Sequence, residues 1–253
     1  MQQVLTSALQ GWYGGFGRFG TLLVDTIRGL REVDVWPGLT AAQMRRIGVQ
    51  SVPIALFIAA FTGIVLALQA SYTFTGAVPL YFVGTLVGKT IMLELGPVLT
   101  GLALSGRVGA NIAAELGTMR VTEQVDALET LAYDPISYLV VPRVLAATFM
   151  FPFVVALAIA TGIVFGWFTA VNLLDLSSPE FARGLQLFYQ FKDVWFGLVK
   201  SMSFGAIIAL IGCMKGLSVR HGAEGVGRAT MEAVVASAQM ILVLDAFWAV
   251  VLL

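Results

Sequence analysis

The sequence predicts an all-α integral membrane protein: five transmembrane helices, an N-terminal amphipathic helix in the interface and a cytoplasmic helix between the second and third spans. Three observations predict it. Charged residues make up only 12% of the 253 positions and hydrophobic ones 58%, against roughly 25% charged in soluble domains. The apolar residues gather into five runs, each long enough to cross a ~30 Å hydrocarbon core at ~1.5 Å per helical residue. The arginines and lysines between those runs fall mainly on one side. A mean hydropathy of +0.88 agrees, and a net charge of zero argues against nucleic acid as a partner.

Residues 1–30 come first. They lack the basic start, apolar core and small-residue cleavage site of a signal peptide. Leu5, Leu9, Trp12, Phe16, Phe19, Leu23 and Ile27 recur at spacings of three and four. That is the stripe of an amphipathic helix lying in the interface, with Trp12 and Phe16 as anchors. Gly11, Gly14, Gly15, Gly17 and Gly20 lower its regularity. The alternative is a helix packed on the cytoplasmic face of the bundle.

The five spans are read at Val49–Tyr72, Leu80–Ser105, Val144–Val171, Val194–Met214 and Ala233–Leu253. Arg28, Arg31, Arg45 and Arg46 precede the first. Arg107, Arg120 and Arg143 lie between the second and third, and Lys215, Arg220 and Arg228 between the fourth and fifth. The other side has only Arg183 and Lys192. The positive-inside bias therefore puts the N-terminus and both basic loops in the cytoplasm and the C-terminus outside. Cys213 is the only cysteine and lies within a span, so no intrachain disulfide is possible.

Within the second span, Pro97 cannot donate to the carbonyl of Leu93, and with Gly96 beside it predicts a kink next to Glu94. Gly162/Gly166 and Gly212/Gly216 have the spacing of close helix packing. The run Gly84 to Thr90 imitates a phosphate loop, but its glycines have three rather than four residues between them and no strand precedes it. It reads instead as a small-xxx-small contact, with Lys89 reaching toward an interface. Ser105 has no histidine at membrane depth to activate it, since His221 lies in a glycine-rich loop. No catalytic or metal site is expected.

Charges inside apolar runs are the sharpest functional signal, since each costs about 2.5–3.5 kcal/mol on insertion scales. Glu94 is thirteen residues from Arg107, Lys200 fifteen from Lys215 and Asp245 seventeen from Arg228. At 1.5 Å per residue they stand ~20, ~22 and ~25 Å from the basic side, within one turn of each other. Opposite charges at one depth can neutralise each other. The predicted polar layer is therefore Glu94, Lys200 and Asp245 beside the Pro97 kink, with Lys200 suited to a phosphate. The alternative is a buried pair that only fixes helix packing.

The segment 110–131 carries Val121, Val125, Leu128 and Ala132 on one face and Glu123, Asp126 and Glu129 on another. It predicts a helix that Pro135 and Pro142 end before the third span.

The block ELGPVLTGLALSGRVGANIAAELGTMRVTEQVDALE, from Glu94 to Glu129, resembles the MlaE (YrbE) family of ABC-transporter permeases. The proline-bounded entry to the third span and the five-span layout are shared as well. One departure is Leu93, where some relatives carry an arginine. The resemblance implies the permease subunit of a phospholipid transporter in the bacterial inner membrane, maintaining outer-membrane lipid asymmetry. It implies a homodimer, a cytoplasmic ABC ATPase docked on segment 110–131 of each copy, and a periplasmic ring of MCE-domain protein. Glu115, Arg120, Glu123, Gln124, Asp126 and Glu129 would then form the coupling surface, and Glu94, Lys200, Asp245 and Pro97 the lipid cavity. ATP and Mg would be bound by the partner ATPase, with no cofactor in this chain. The competing classes are an ATP-independent channel and a membrane scaffold.

Overall fold

The computed structural model describes residues 17–33, 35–74, 79–174, 176–220 and 222–252, and every regular element among them is helical. Helix α1 covers 17–29. The others are α2 (Trp36–Thr73), α3 (Phe82–Val121), α4 (Gln124–Thr130), α5 (Ile136–Leu173), α6 (Ser178–Leu187), α7 (Phe191–Leu217) and α8 (Gly222–Leu252). Five of these, α2, α3, α5, α7 and α8, are long and apolar enough to cross a membrane. Each is longer than its apolar run, because polar residues such as Arg45, Arg46 and Arg107 lower hydropathy without breaking a helix.

The residues pack as two compact units. Among the described residues, one draws on 17–44, Ser105–Ala147 and Ala206–Ser237, the other on Arg45–Leu104, Thr148–Gly205 and 238–252.

In the first unit, α1 buries Leu22, Thr26 and Gly29, and Gly29 meets Ser137 and Val141 of α5. Leu23, Val24 and Ile27 stay exposed. The described part of the helix thus packs on protein with one face and leaves an apolar face uncovered. Leu5, Leu9, Trp12 and Phe16 lie outside the described residues. Gly212 and Gly216 of α7 fit against Gly109 to Leu116 of α3, where a β-carbon on either would crowd backbone oxygens.

The expected single helix over 110–131 is instead two. Residues 110–121 continue α3. Glu123 then takes a left-handed conformation at φ 60°, and α4 starts after it. This break brings Arg120 and Asp126, six residues apart, into an ion pair that a straight helix would hold on divergent faces. A Schellman motif ends α4: Tyr133 N–H donates to Leu128 O and Ala132 N–H to Glu129 O, with Ala132 at φ 61° where glycine is usual.

The expectation that Pro142 ends a helix is also corrected. Pro135 caps the start of α5, and Pro142 lies inside it. A π turn at Ile136–Val140 precedes Pro142, just as one at Ile91–Leu95 precedes Pro97. Val141 N–H reaches back to Ile136 O, and Gly96 N–H to Ile91 O, each five residues. The extra residue moves the carbonyl that a proline ring would strike, so both helices continue through their prolines.

In the second unit, α2 crosses α5 where Gly63 meets Gly162; a β-carbon on Gly63 would fall 2.0 Å from Gly162 O. The short helix α6 is started by a capping box, Ser177 with Glu180, and by Pro179 in its first turn. It lies on the beginning of α3 through Gly84 and Gly184, and Thr85 Oγ1 donates to Gly184 O. Gly84 and Gly88 therefore do serve a close contact, with α6 as the partner. Phe181 closes the core there beside Val83, Val87, Ile91 and Ala170.

Candidate functional site

The three membrane-depth charges of the second unit meet. Lys200 Nζ lies 2.9 Å from Glu94 Oε2 and 2.6 Å from Asp245 Oδ1. It also donates to Leu93 O at 3.2 Å. The last contact follows from Pro97: with no N–H at position 97, the carbonyl of Leu93 lacks its usual helical donor, and the lysine supplies one. Two of the three ammonium donors are directed at Glu94 Oε2 and Leu93 O, while Asp245 Oδ1 is held as a close ion-pair partner without hydrogen-bond geometry. Only 4% of the Lys200 side chain is exposed, against 22% for Asp245 and 37% for Glu94. Three helices are thereby tied together, and the group of two carboxylates and one ammonium keeps a formal charge of −1.

The backbone around the group is fitted to it. Gly197, three residues before Lys200 on α7, allows α3 to approach: a β-carbon there would lie 2.4 Å from Met92 O and 3.2 Å from the Pro97 ring. Trp248 of α8, three residues after Asp245, donates its indole N–H to Ser203 Oγ at 2.9 Å, and that hydroxyl donates to Lys200 O at 2.6 Å. These contacts fix the directions from which Asp245 and Lys200 face each other.

A second ion pair joins the same two helices. Lys89 Nζ of α3 is 2.6 Å from Asp193 Oδ2 of α7, with side-chain exposures of 32% and 8%. The pair was legible only in part. Lys89 reads as an interfacial side chain, and Asp193 goes unremarked beside Lys192. Their spacing from Glu94 and Lys200, five residues and seven, is the signal that groups them.

Leu95 and Leu99, next to Glu94 on α3, help line an open groove of about 460 Å³ in the second unit; Phe57, Phe61, Val65 and Leu66 of α2 form its other wall. The groove is apolar, and its lining residue Leu95 directly follows Glu94 in the chain, an arrangement suited to a molecule with both kinds of surface.

In the first unit, the six residues expected to form a coupling surface divide. Glu115 is drawn toward Arg143 at 3.1 Å, and Arg143, nearly buried, also donates to Leu139 O. Arg120 holds Asp126. Glu123, Gln124, Asp126 and Glu129 are exposed, while Val125 between them is buried. A recess of about 610 Å³ adjoins this segment, lined in part by Arg18, Arg120, Glu123, Asp126 and Arg220. Among the described residues no cluster of His, Cys, Asp and Glu has the arrangement of a metal site.

The sequence matches the family described as Permease MlaE over residues 40–251. It is 41% identical over 227 residues to a probable ABC transporter permease protein of Rickettsia bellii, covering 90% of this chain and 88% of that one. It is 42% identical over 208 residues to a probable ABC transporter permease protein of Synechocystis, covering 82% and 79%. It is also 34% identical over 206 residues to the chloroplastic protein TRIGALACTOSYLDIACYLGLYCEROL 1 of Arabidopsis thaliana, covering 81% of this chain and 59% of that protein. With five helices able to cross a membrane and a family match over most of its length, this chain belongs to the MlaE family of membrane permeases.

Proposed function

We propose that the chain moves phospholipid between the bacterial inner membrane and a periplasmic ring of MCE-domain protein, and so maintains outer-membrane lipid asymmetry. It works as a homodimer driven by a cytoplasmic ABC ATPase docked on each copy. The N-terminus is cytoplasmic and the C-terminus periplasmic. The observation that carries this reading is the Glu94–Lys200–Asp245 group beside an apolar groove. A lipid needs polar company for its head and an apolar wall for its tails, and a bilayer-spanning protein keeps ionised residues at this depth only where they have partners or a pathway.

The energetics favour a working site over a mere clamp. A buried ion group is weak support for stability, since well-packed apolar residues often do as well or better. Here Glu94 is left more than a third exposed, so part of the charge is presented outward. On the ATPase side, Glu123, Gln124, Asp126 and Glu129 present a polar edge on a short helix anchored by Val125. Arg120 pairs with Asp126 of that element, and Glu115 pairs with Arg143 of α5. ATP and Mg belong to the docked ATPase.

Reconstitution with the cognate ATPase and MCE protein, with labelled phospholipid followed with and without ATP, tests the reading. ATP-dependent transfer that falls in Glu94→Gln with normal assembly is the expected result. Transfer independent of ATP would replace the transporter by a channel, and unchanged transfer in Glu94→Gln would reduce the group to packing. Reversing Glu123 and Asp126 to lysine should weaken ATPase co-purification, since like charges facing each other cost several kcal/mol. Unaltered co-purification would move the docking site elsewhere.

A further inference from the structure

Resting on the phospholipid reading above, we infer that Lys89, rather than Lys200, meets the phosphate of a bound lipid, and that Glu94 meets the cationic end of a zwitterionic head group. Lys200 is unsuited to the phosphate. It donates to Glu94 and Leu93 O, stands in ion-pair contact with Asp245, and exposes only 4% of its side chain. The group around it carries a net negative charge, so an approaching phosphate is repelled at short range.

Lys89 has the opposite properties. About a third of its side chain is exposed, and its ion-pair partner, Asp193, is the more buried member at 8%. An ammonium bonded to one carboxylate oxygen keeps donors for a further acceptor. The two stations have the same construction with the signs exchanged. Outward-facing Lys89 is backed by buried Asp193, and outward-facing Glu94 by buried Lys200.

The π turn sets their register. Positions five apart in an α-helix point ~140° away from each other, which would hide one of the pair. The turn at Ile91–Leu95 closes five residues into one ring, so Lys89 and Glu94 come close to one face. Their partners support this independently: Asp193 and Lys200 are seven positions apart on α7, about two full turns, and both reach α3. A cation and an anion thus stand ~7 Å apart along one helix, a span that a phosphoethanolamine group covers once each end is hydrogen-bonded. An acid at the second station makes phosphatidylethanolamine a better fit than an anionic lipid such as phosphatidylglycerol, which brings no cation to offset the net negative charge of the Glu94–Lys200–Asp245 group.

The test is ATP-driven transfer by the full complex from vesicles carrying labelled phosphatidylethanolamine or phosphatidylglycerol, normalised to assembled complex. Asp193→Asn keeps Lys89 and is the reference against which loss of the ammonium is read. Lys89→Gln with Asp193→Asn strands no acid and should lose about tenfold for both lipids, the size of one charge-assisted hydrogen bond. Glu94→Gln should abolish the preference for phosphatidylethanolamine. Where the double variant assembles poorly, phospholipid phosphorus retained in detergent by Lys89→Met measures the same loss. Equal transfer by Asp193→Asn and by the double variant, whether both are normal or both impaired, overturns the assignment alone. No ATP-dependent transfer of either lipid by the unaltered complex overturns the transport reading and this assignment with it.

Discussion

Replacing Lys200 by methionine, nearly its equal in length, should destabilise the protein through the charges left behind more than through the bonds lost. Glu94 and Asp245 lie 2.9 and 2.6 Å from Nζ, and Leu93 O lies 3.2 Å away. Removing one partner of a buried ion pair costs ~3–5 kcal/mol. Glu94 is 37% exposed, so solvent screens it and its share is discounted. Asp245 at 22% retains most of its penalty, and the expected loss is ~3 kcal/mol. Interhelical hydrogen bonds in membranes average only ~0.6 kcal/mol each, so lost bonds alone cannot reach that figure. Adding Glu94→Gln and Asp245→Asn to Lys200→Met removes both stranded charges and should recover more than half of the loss. Unfolding by SDS in mixed micelles measures this, with tryptophan fluorescence as the signal; Trp248 bonds Ser203, one turn from Lys200. A Lys200→Met protein as stable as the unaltered one would refute the reasoning. So would a triple variant no more stable than the single one.

Two further outcomes follow from packing and capping. Gly63→Ala should cost ~1–3 kcal/mol, the usual range for overpacking, because its methyl would lie 2.0 Å from Gly162 O; Gly227→Ala, with open space around it, should gain ~0.5–1 kcal/mol from helix propensity, and the same SDS titration separates them. The hydroxyl and then the backbone N–H of Ser177 hold the Glu180 carboxyl below the usual carboxylate range. A depressed acid contributes stability that is intact above its unfolded value and is lost as pH falls through its folded value. The first turn of α6 should therefore stay protected from hydrogen exchange at neutral pH and lose protection only in acid, and Ser177→Ala should move that loss to higher pH.

The coupling segment shows why some of the fold is legible in sequence and some is not. Periodicity identified Val125 and Leu128 as the inward side of α4, since a 3.6-residue repeat reports which side of a helix is apolar. It carried the same helix through Glu123, because left-handed backbone at a non-glycine residue leaves no compositional mark and is held by its surroundings. The Arg120–Asp126 pair and the Schellman turn at Ala132 are those surroundings. Pro142 misled for a related reason. A proline signals a missing donor, but whether the helix stops or inserts a π turn depends on what supports the chain on either side. The Ser177–Glu180 capping box, by contrast, is a local motif written in adjacent residues.

The sequence by itself determined the five membrane-crossing helices and the shared depth of Glu94, Lys200 and Asp245. The bilayer imposes both. Spanning backbone must bond within its own helix, and a fixed rise per residue turns sequence separation into height. Only the tertiary structure decided which groups touch. Depth says nothing of the angle at which a side chain leaves its helix, and that angle was set by a π turn, by the glycine contact at Gly197 and by the missing donor at Pro97. Those three features buried Lys200 between two carboxylates and a carbonyl and left Lys89 and Glu94 about a third exposed.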